Sequence, residues 1–365
     1  MRRHFLTLLL GAAAAFSCSR RAGSPAQPQV QILGRFLNAS PNEAIQMGWS
    51  QTAVLAQFTG NRLGARMQSA GANWMAVQID DQPPRRLSLR PSVGVYPLAD
   101  HLGPGPHRLR LTKLTEACVG EIAFFGLDLA PGGQLLPPPP PLPRRLEFVG
   151  DSITAGYGNE GKDANCVFSP STENVSLAYG PLAARALGAE ASVFAWSGKG
   201  VWRNNDGTTA LTLPDLYERI LPERPTPTWS PGEPAVAAVV VNLGTNDFAR
   251  RQGPVQDIPF LQAYRRLLQQ IRRHQPKAYI LCTLGPMLSD AAGGPEPALS
   301  HARRLILQAI DAERAAAGGS LGFLEYAPQT GALGYGCDYH PNLRTHSQMA
   351  AQLTAHLRRA LGWAD

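Results

Sequence analysis

Two regimes of hydrophobic patterning divide the chain. From about Val30 to Leu129, apolar and polar positions alternate in short runs, among them "QILGRFLNAS", "AVLAQFTG", "WMAVQID", "RRLSLR", "HRLRLTKL" and "EIAFFGLDL". Successive side chains of a strand point to opposite faces, so each run predicts a half-buried strand. Glycine, proline and asparagine between the runs supply the turns. Short strands at this spacing predict a β-sandwich of the jelly-roll kind.

After about Leu146 the alternation gives way to continuous apolar runs: "LEFVG", "ASVFAW", "AVAAVVVNLG", "AYILCTLG" and "GFLEYA". Between them lie helical patterns, "VSLAYGPLAARALG", "LPDLYERIL", "DIPFLQAYRRLLQQIRRHQ" and "PALSHARRLILQAIDAERAAAGG", and "THSQMAAQLTAHLRRALG" closes the chain. Asp257 and Pro259 suit a helix start, and Gly188 and Gly318 suit helix stops. Apolar strands alternating with helices predict a parallel α/β sheet covered on both faces. Ligands of such sheets gather beyond the carboxyl ends of the strands.

The join is the proline-rich "PGGQLLPPPPPLPRR", Pro131 to Arg145, which reads as a semi-rigid spacer. The predicted organisation is an export signal over 1–18, a β-sandwich over 30–130, a linker over 131–145 and a second domain over 146–365. The signal is read from "MRRHFLTLLLGAAAAFSCSRR", with its positive start, short apolar core and small residues before Cys18. "RRHFL" resembles a twin-arginine signal, and "AFSC" resembles a degenerate lipoprotein box that would attach lipid through Cys18. Export to the periplasm, the envelope or the medium is expected.

Composition changes little in this picture. At 44% hydrophobic and 17% charged residues, the 365-residue chain is globular rather than disordered. A formal charge of +7 suggests nucleic acid, but the arginines are scattered in short pairs such as Arg85-Arg86 and Arg272-Arg273. No basic block interleaved with aromatics exists, so a nucleic-acid partner is not expected. There is no CxxC pair for a thiolate zinc site.

The chemistry concentrates where apolar runs end. "EFVGDSITAGYG" stops at Gly-Asp-Ser, placing Ser152 at a strand terminus. "FAWSGKGVWRN", "VVVNLGTNDF" and "GYGCDYHPN" follow in comparable positions and bring Gly198, Asn246, Asp338 and His340. Ser152 as a nucleophile needs a base, and His340 is the one histidine of this set. Asp151 and Asp247 are expected to brace their loops.

"GDSIT", the glycine of "SGKG", "GTND" and "DYHPN" together resemble the four signature blocks of the SGNH (GDSL-type) hydrolases. The preceding sandwich, with "KLTEACVGEIAFFGLDL" closing it and "WSGKGVWRN" following, resembles carbohydrate esterase family 2. That resemblance implies a flavodoxin-like parallel sheet and a serine esterase needing no cofactor and no metal. Ser152 would be the nucleophile and His340 the base. The oxyanion hole would be the amides of Ser152 and Gly198 and the side chain of Asn246. Asp338, two residues before His340 rather than three, is the expected third member, although some relatives use a backbone carbonyl there. Acetyl removal from an acetylated polysaccharide such as xylan or glucomannan, by a monomer, follows as the expected function. The alternatives are a lipase, thioesterase or acyltransferase on this scaffold, or a glycan-binding protein without activity.

Around Gly198, the residues Trp196, Trp202 and Arg203 are candidates for holding a sugar, with at least one tryptophan expected to pack beneath the loop. Cysteine spacing alone does not choose disulfide partners. Cys166 and Cys337 lie in loops attached to catalytic segments and are the expected pair, the alternative being two free thiols lining the cleft. Cys118 and Cys282 sit in apolar strand patterns and are expected to stay buried thiols.

Overall fold

The computed structural model describes residues 30–38, 43–103, 105–230, 235–249, 253–291 and 297–363. The expected export signal over 1–18, with Cys18, lies outside them. The first domain is a two-sheet antiparallel sandwich. Its strands are β1 (Gln31–Leu33), β2 (Ile45–Met47), β3 (Ala53–Thr59), β4 (Leu63–Ser69), β5 (Trp74–Ile79), β6 (Arg85–Ser88), β7 (Gly94–Ala99), β8 (Pro106–Lys113), β9 (Ile122–Leu129) and β10 (Leu135–Leu136). One sheet runs β1-β3-β8-β5-β6 and the other β2-β9-β4-β7. Met47, Phe58, Met67, Leu111 and Phe124 fill the space between them.

β4 and β7 interrupt the expected pattern because each carries a residue that reads as a breaker. Gly64 faces Pro97 across an irregular pairing at the edge of the second sheet. An edge strand tolerates the missing amide of proline. The proline-rich segment also departs from a bare spacer. Before the uninterrupted proline run begins at Pro137, Leu135 and Leu136 pair with Phe58 and Gln57, and Gln134 donates its amide to Thr59 Oγ1 at 3.1 Å.

The second domain is built from β11 (Arg144–Gly150), α1 (Ser152–Ala155), α2 (Tyr179–Ala186), β12 (Ala189–Ala195), α3 (Leu213–Leu216), β13 (Ala238–Asn242), α4 (Asp257–His274), β14 (Tyr279–Leu284), α5 (Ala298–Ala317), β15 (Leu321–Glu325) and α6 (Leu343–Leu361). All five strands are parallel, in the order β12-β11-β13-β14-β15. Alternate residues serve opposite faces. Phe148 and Val240 pack with α2 and α6, whereas Val149 and Val241 pack with α4 and α5. The strand order reverses at β11, which opens a crevice at its carboxyl end. "LPDLYERIL" yields only the single turn α3, because the chain leaves the helix for a bridge between Arg219 and Thr228.

The two domains share a core. Trp49 and Ala117, from the sandwich side, are buried with Phe194, Val201, Leu213 and Tyr217. Trp49 meets Phe194 edge-on at 5.6 Å. Burial of one such aromatic contributes ~1.5–3 kcal/mol, so this contact holds the halves as one body.

Candidate active site

β11 ends at Gly150, and the extended backbone and side chain of Asp151 start the next turn: Oδ1 accepts the Ile153 amide at 3.0 Å. Ser152 is therefore the first residue of α1, a single turn stopped by Gly156 in the left-handed conformation at φ 79°. The His340 ring comes from the loop between β15 and α6, and its Nε2 lies 2.9 Å from Ser152 Oγ.

The other ring nitrogen, Nδ1, lies 3.1 Å from the main-chain oxygen of Asp338. A carbonyl only accepts, so Nδ1 carries the proton and Nε2 presents its lone pair to the serine hydroxyl. Burial pushes the His340 pKa down, with the Asp338 and Cys337 carbonyls opposing the shift. The neutral base is thus favoured.

The Asp338 carboxylate does not reach the imidazole. It accepts the Tyr157 hydroxyl at 2.9 Å and the Phe168 amide at 3.0 Å. Asp338 and Tyr339 both adopt left-handed backbone, at φ 51° and 62°. That turn presents the Asp338 carbonyl to His340 and leaves its side chain to the neighbouring loop. Of the two arrangements expected for Asp338, the geometry brings its carbonyl and not its carboxylate to the His340 ring.

Tyr157 is a site residue that the motifs did not single out. Its ring stacks on Phe168 at 4.1 Å and lies 4.2 Å from the His340 ring. Only its place in "AGYG", directly after the nucleophile turn, hinted at a role. Cys166 and Cys337 are disulfide-bonded with Cα atoms 4.3 Å apart, and Asp338 donates its amide to Cys166 O at 2.9 Å. The loop after Ser152 and the loop carrying His340 are thereby joined. Gly158 and Gly161 permit this approach, since a Cβ at either would stand 2.7 Å or less from an atom of Cys337.

The two remaining blocks converge on the same crevice. Asn246 Nδ2 donates to Lys199 O at 2.9 Å and lies 3.3 Å from Asp151 Oδ2. Gly198 turns in left-handed backbone at φ 80°. Asp247 Oδ1 and Oδ2 accept the amides of Val201, Trp202 and Arg203 at 2.8–2.9 Å. Burial raises the carboxyls of Asp151 and Asp247, to about 7 and about 6. Both side chains act as braces inside the loops. A cavity of about 520 Å³ is lined by Ser152, Gly198, Asn246 and His340, by Tyr157 and Asn205, and by apolar Phe248, Met287 and Leu288.

Trp196, Trp202 and Arg203 do not line that cavity. Both tryptophans are half-buried against the core on the α4–α5 face. Arg203 is 6% exposed and donates to the carbonyls of Asp247 at 2.6 Å and Gly253 at 3.2 Å. Asp247 takes the amides of residues 201–203, which draws Trp202 and Arg203 toward the core and away from the crevice lined by Ser152 and His340. Cys282 is buried in β14 as expected, but Cys118 is exposed, because it sits in the short turn Ala117–Val119 rather than in a strand. Among the described residues no group of three His, Cys, Asp or Glu is placed to hold a metal ion. No described helix is long and apolar enough to cross a membrane.

Comparison with known proteins follows the same division. Residues 32–139 match the carbohydrate esterase 2 N-terminal family, and residues 148–348 match the GDSL-like lipase/acylhydrolase family. The cellulase/esterase CelE of Acetivibrio thermocellus is 35% identical over 92% of this chain, which spans 40% of that relative's length. An acetylxylan esterase / glucomannan deacetylase of Cellvibrio japonicus is 28% identical, covering 92% of this chain and 90% of its own. A family two carbohydrate esterase from Clostridium thermocellum, solved in complex with cellohexaose, superposes with a TM-score of 0.85 at 36% identity, over 92% of this chain and 100% of that one.

Proposed function

Because the chain belongs to the GDSL-like acylhydrolases and to family 2 of the carbohydrate esterases, we propose that it is an exported serine esterase that removes acetyl groups from polysaccharides of the xylan or glucomannan type. One observation carries the chemistry: His340 Nε2, with its tautomer set by the Asp338 carbonyl, lies 2.9 Å from Ser152 Oγ. Ser152 Oγ attacks the ester carbonyl while its proton passes to Nε2. The charge that develops on the carbonyl oxygen is met by the amides of Ser152 and Gly198 and by Asn246 Nδ2. That amide donates to Lys199 O at 2.9 Å and, more loosely, to Asp151 Oδ2 at 3.3 Å, so the oxyanion would take over the longer of the two bonds. His340 then returns the proton to the departing sugar oxygen, leaving acetyl on Ser152. A water deprotonated by His340 releases acetate.

The imidazolium formed in each half-reaction faces a carbonyl dipole and not a carboxylate. Activity on p-nitrophenyl acetate and on a panel of acetylated glycans tests the reading. Ser152→Ala and His340→Ala should each abolish turnover, since residues acting as a unit fail together. A wild-type protein that bound glycan but turned over neither kind of ester would instead favour a binding role. Phe248, Met287 and Leu288 offer apolar lining for a longer acyl group, so an ester series from acetyl to octanoyl separates the deacetylase from a lipase. Faster octanoyl hydrolysis would favour the lipase.

A further inference from the structure

The segment that leaves β8 carries a buried carboxylate from the sandwich into the catalytic domain. Glu116 is fully buried. Its Oε2 accepts the Ser197 amide at 2.6 Å, and its Oε1 accepts the Ser197 hydroxyl. Ser197 directly precedes Gly198, and both line the crevice with Ser152 and His340.

Glu116 is itself held from two directions. Its amide is donated to Glu173 Oε2 at 2.9 Å, and its carbonyl accepts Lys113 Nζ at 3.0 Å. The Glu173 segment is tied back to the sandwich by Arg86, which donates to Ser171 O at 2.8 Å and Glu173 O at 3.2 Å. A buried carboxylate is costly unless its oxygens are engaged, and here Ser197 engages both.

We infer that Glu116 is a positioning residue for the acyl-transfer step: its carboxylate fixes Ser197 and thereby aims the Gly198 amide at the oxyanion. The inference rests on the esterase reading above. Gly198 has wide backbone freedom, and an oxyanion donor is useful only when it is aimed in advance. Asp247 fixes the far end of this loop at residues 201–203, and Glu116 fixes the near end. The N-terminal domain thus supplies part of the catalytic geometry. This role differs from that of a module that only anchors substrate.

The test uses the full chain and p-nitrophenyl acetate. Turnover by wild type that disappears in Ser152→Ala establishes the esterase reading, and the Glu116 variants are judged against that wild-type value. Glu116→Asp keeps the carboxyl group but withdraws it by one methylene. It should lower kcat by roughly 10–100-fold with KM within about twofold, the signature of a misaimed transition-state donor. Glu116→Gln keeps an acceptor at full reach and should recover most of kcat. Ser197→Ala should cost a few-fold in wild type and nothing further on top of Glu116→Asp, because the two act through one contact. Glu116→Asp with unchanged kcat per folded, titrated active site would overturn the inference, whatever its melting temperature. A rise in KM at constant kcat would also overturn it, by placing Glu116 in substrate binding.

Discussion

The Asp338 main-chain oxygen lies 3.1 Å from His340 Nδ1, while the carboxylate of the same residue takes the Tyr157 hydroxyl at 2.9 Å. One residue thus orients the base through its backbone and braces the adjacent loop through its side chain. Asp338→Asn retains the carbonyl, tolerates left-handed backbone and keeps an acceptor for Tyr157. Its kcat should fall by less than about 10-fold, against the ~10⁴-fold loss typical when a triad carboxylate is neutralised. A loss of the larger size in steady-state kinetics would return the carboxylate to the catalytic unit.

The same geometry sets the pH dependence. Burial holds the His340 pKa below its ordinary value, which for a histidine is about 6.5. Lowering favours the neutral, basic form, so activity is retained on the acid side of that value and lost only as pH falls through the lowered pKa. The kcat/KM profile should show an acid limb with an apparent pKa below about 6.5 and a plateau through neutrality. An acid limb above 7 would contradict this assignment of the base.

The Cys166–Cys337 bond spans 171 residues of sequence and joins the loop after Ser152 to the loop that carries His340. Closing so long a loop restricts the unfolded chain, and its removal should cost about 2–4 kcal/mol. The Cys166→Ala/Cys337→Ala double variant should melt at lower temperature and lose turnover at moderate heat before it unfolds. Peptide mapping without reductant checks the premise, since the linked peptide must be present in exported protein.

Arg203 lies in the loop after Gly198 but reaches inward to the carbonyls of Asp247 and Gly253. Arg203→Ala leaves those buried acceptors unpaired, at a cost of about 1–3 kcal/mol in denaturant unfolding. The KM for acetylated glycans should stay within about twofold of wild type. A selective KM increase with unchanged stability would place the guanidinium on the substrate.

Much of this protein was legible in the chain by itself. Alternation in "WMAVQID" and the apolar run "AVAAVVVNLG" forecast a sandwich strand and a parallel strand, because period and burial are local properties of sequence. "GDSIT" and "DYHPN" marked Ser152 and His340 through their joint resemblance to the SGNH blocks, since each alone reads as an ordinary polar strand terminus. Tertiary structure decided what depends on direction and distance. Sequence proximity placed Trp196, Trp202 and Arg203 beside Gly198, but Asp247 takes the Trp202 and Arg203 amides and both tryptophans pack half-buried against the core. The spacing of Asp338 from His340 could not say which oxygen faces the ring, since that follows from two left-handed residues in succession. Glu116 lies within "KLTEACVGEIAFFGLDL", but nothing in that segment marks its carboxylate, because its partner Ser197 is 81 residues away and the two meet only when the sandwich docks on the sheet. Local pattern determines which residues can react or turn. Long-range packing determines which atoms they present to each other.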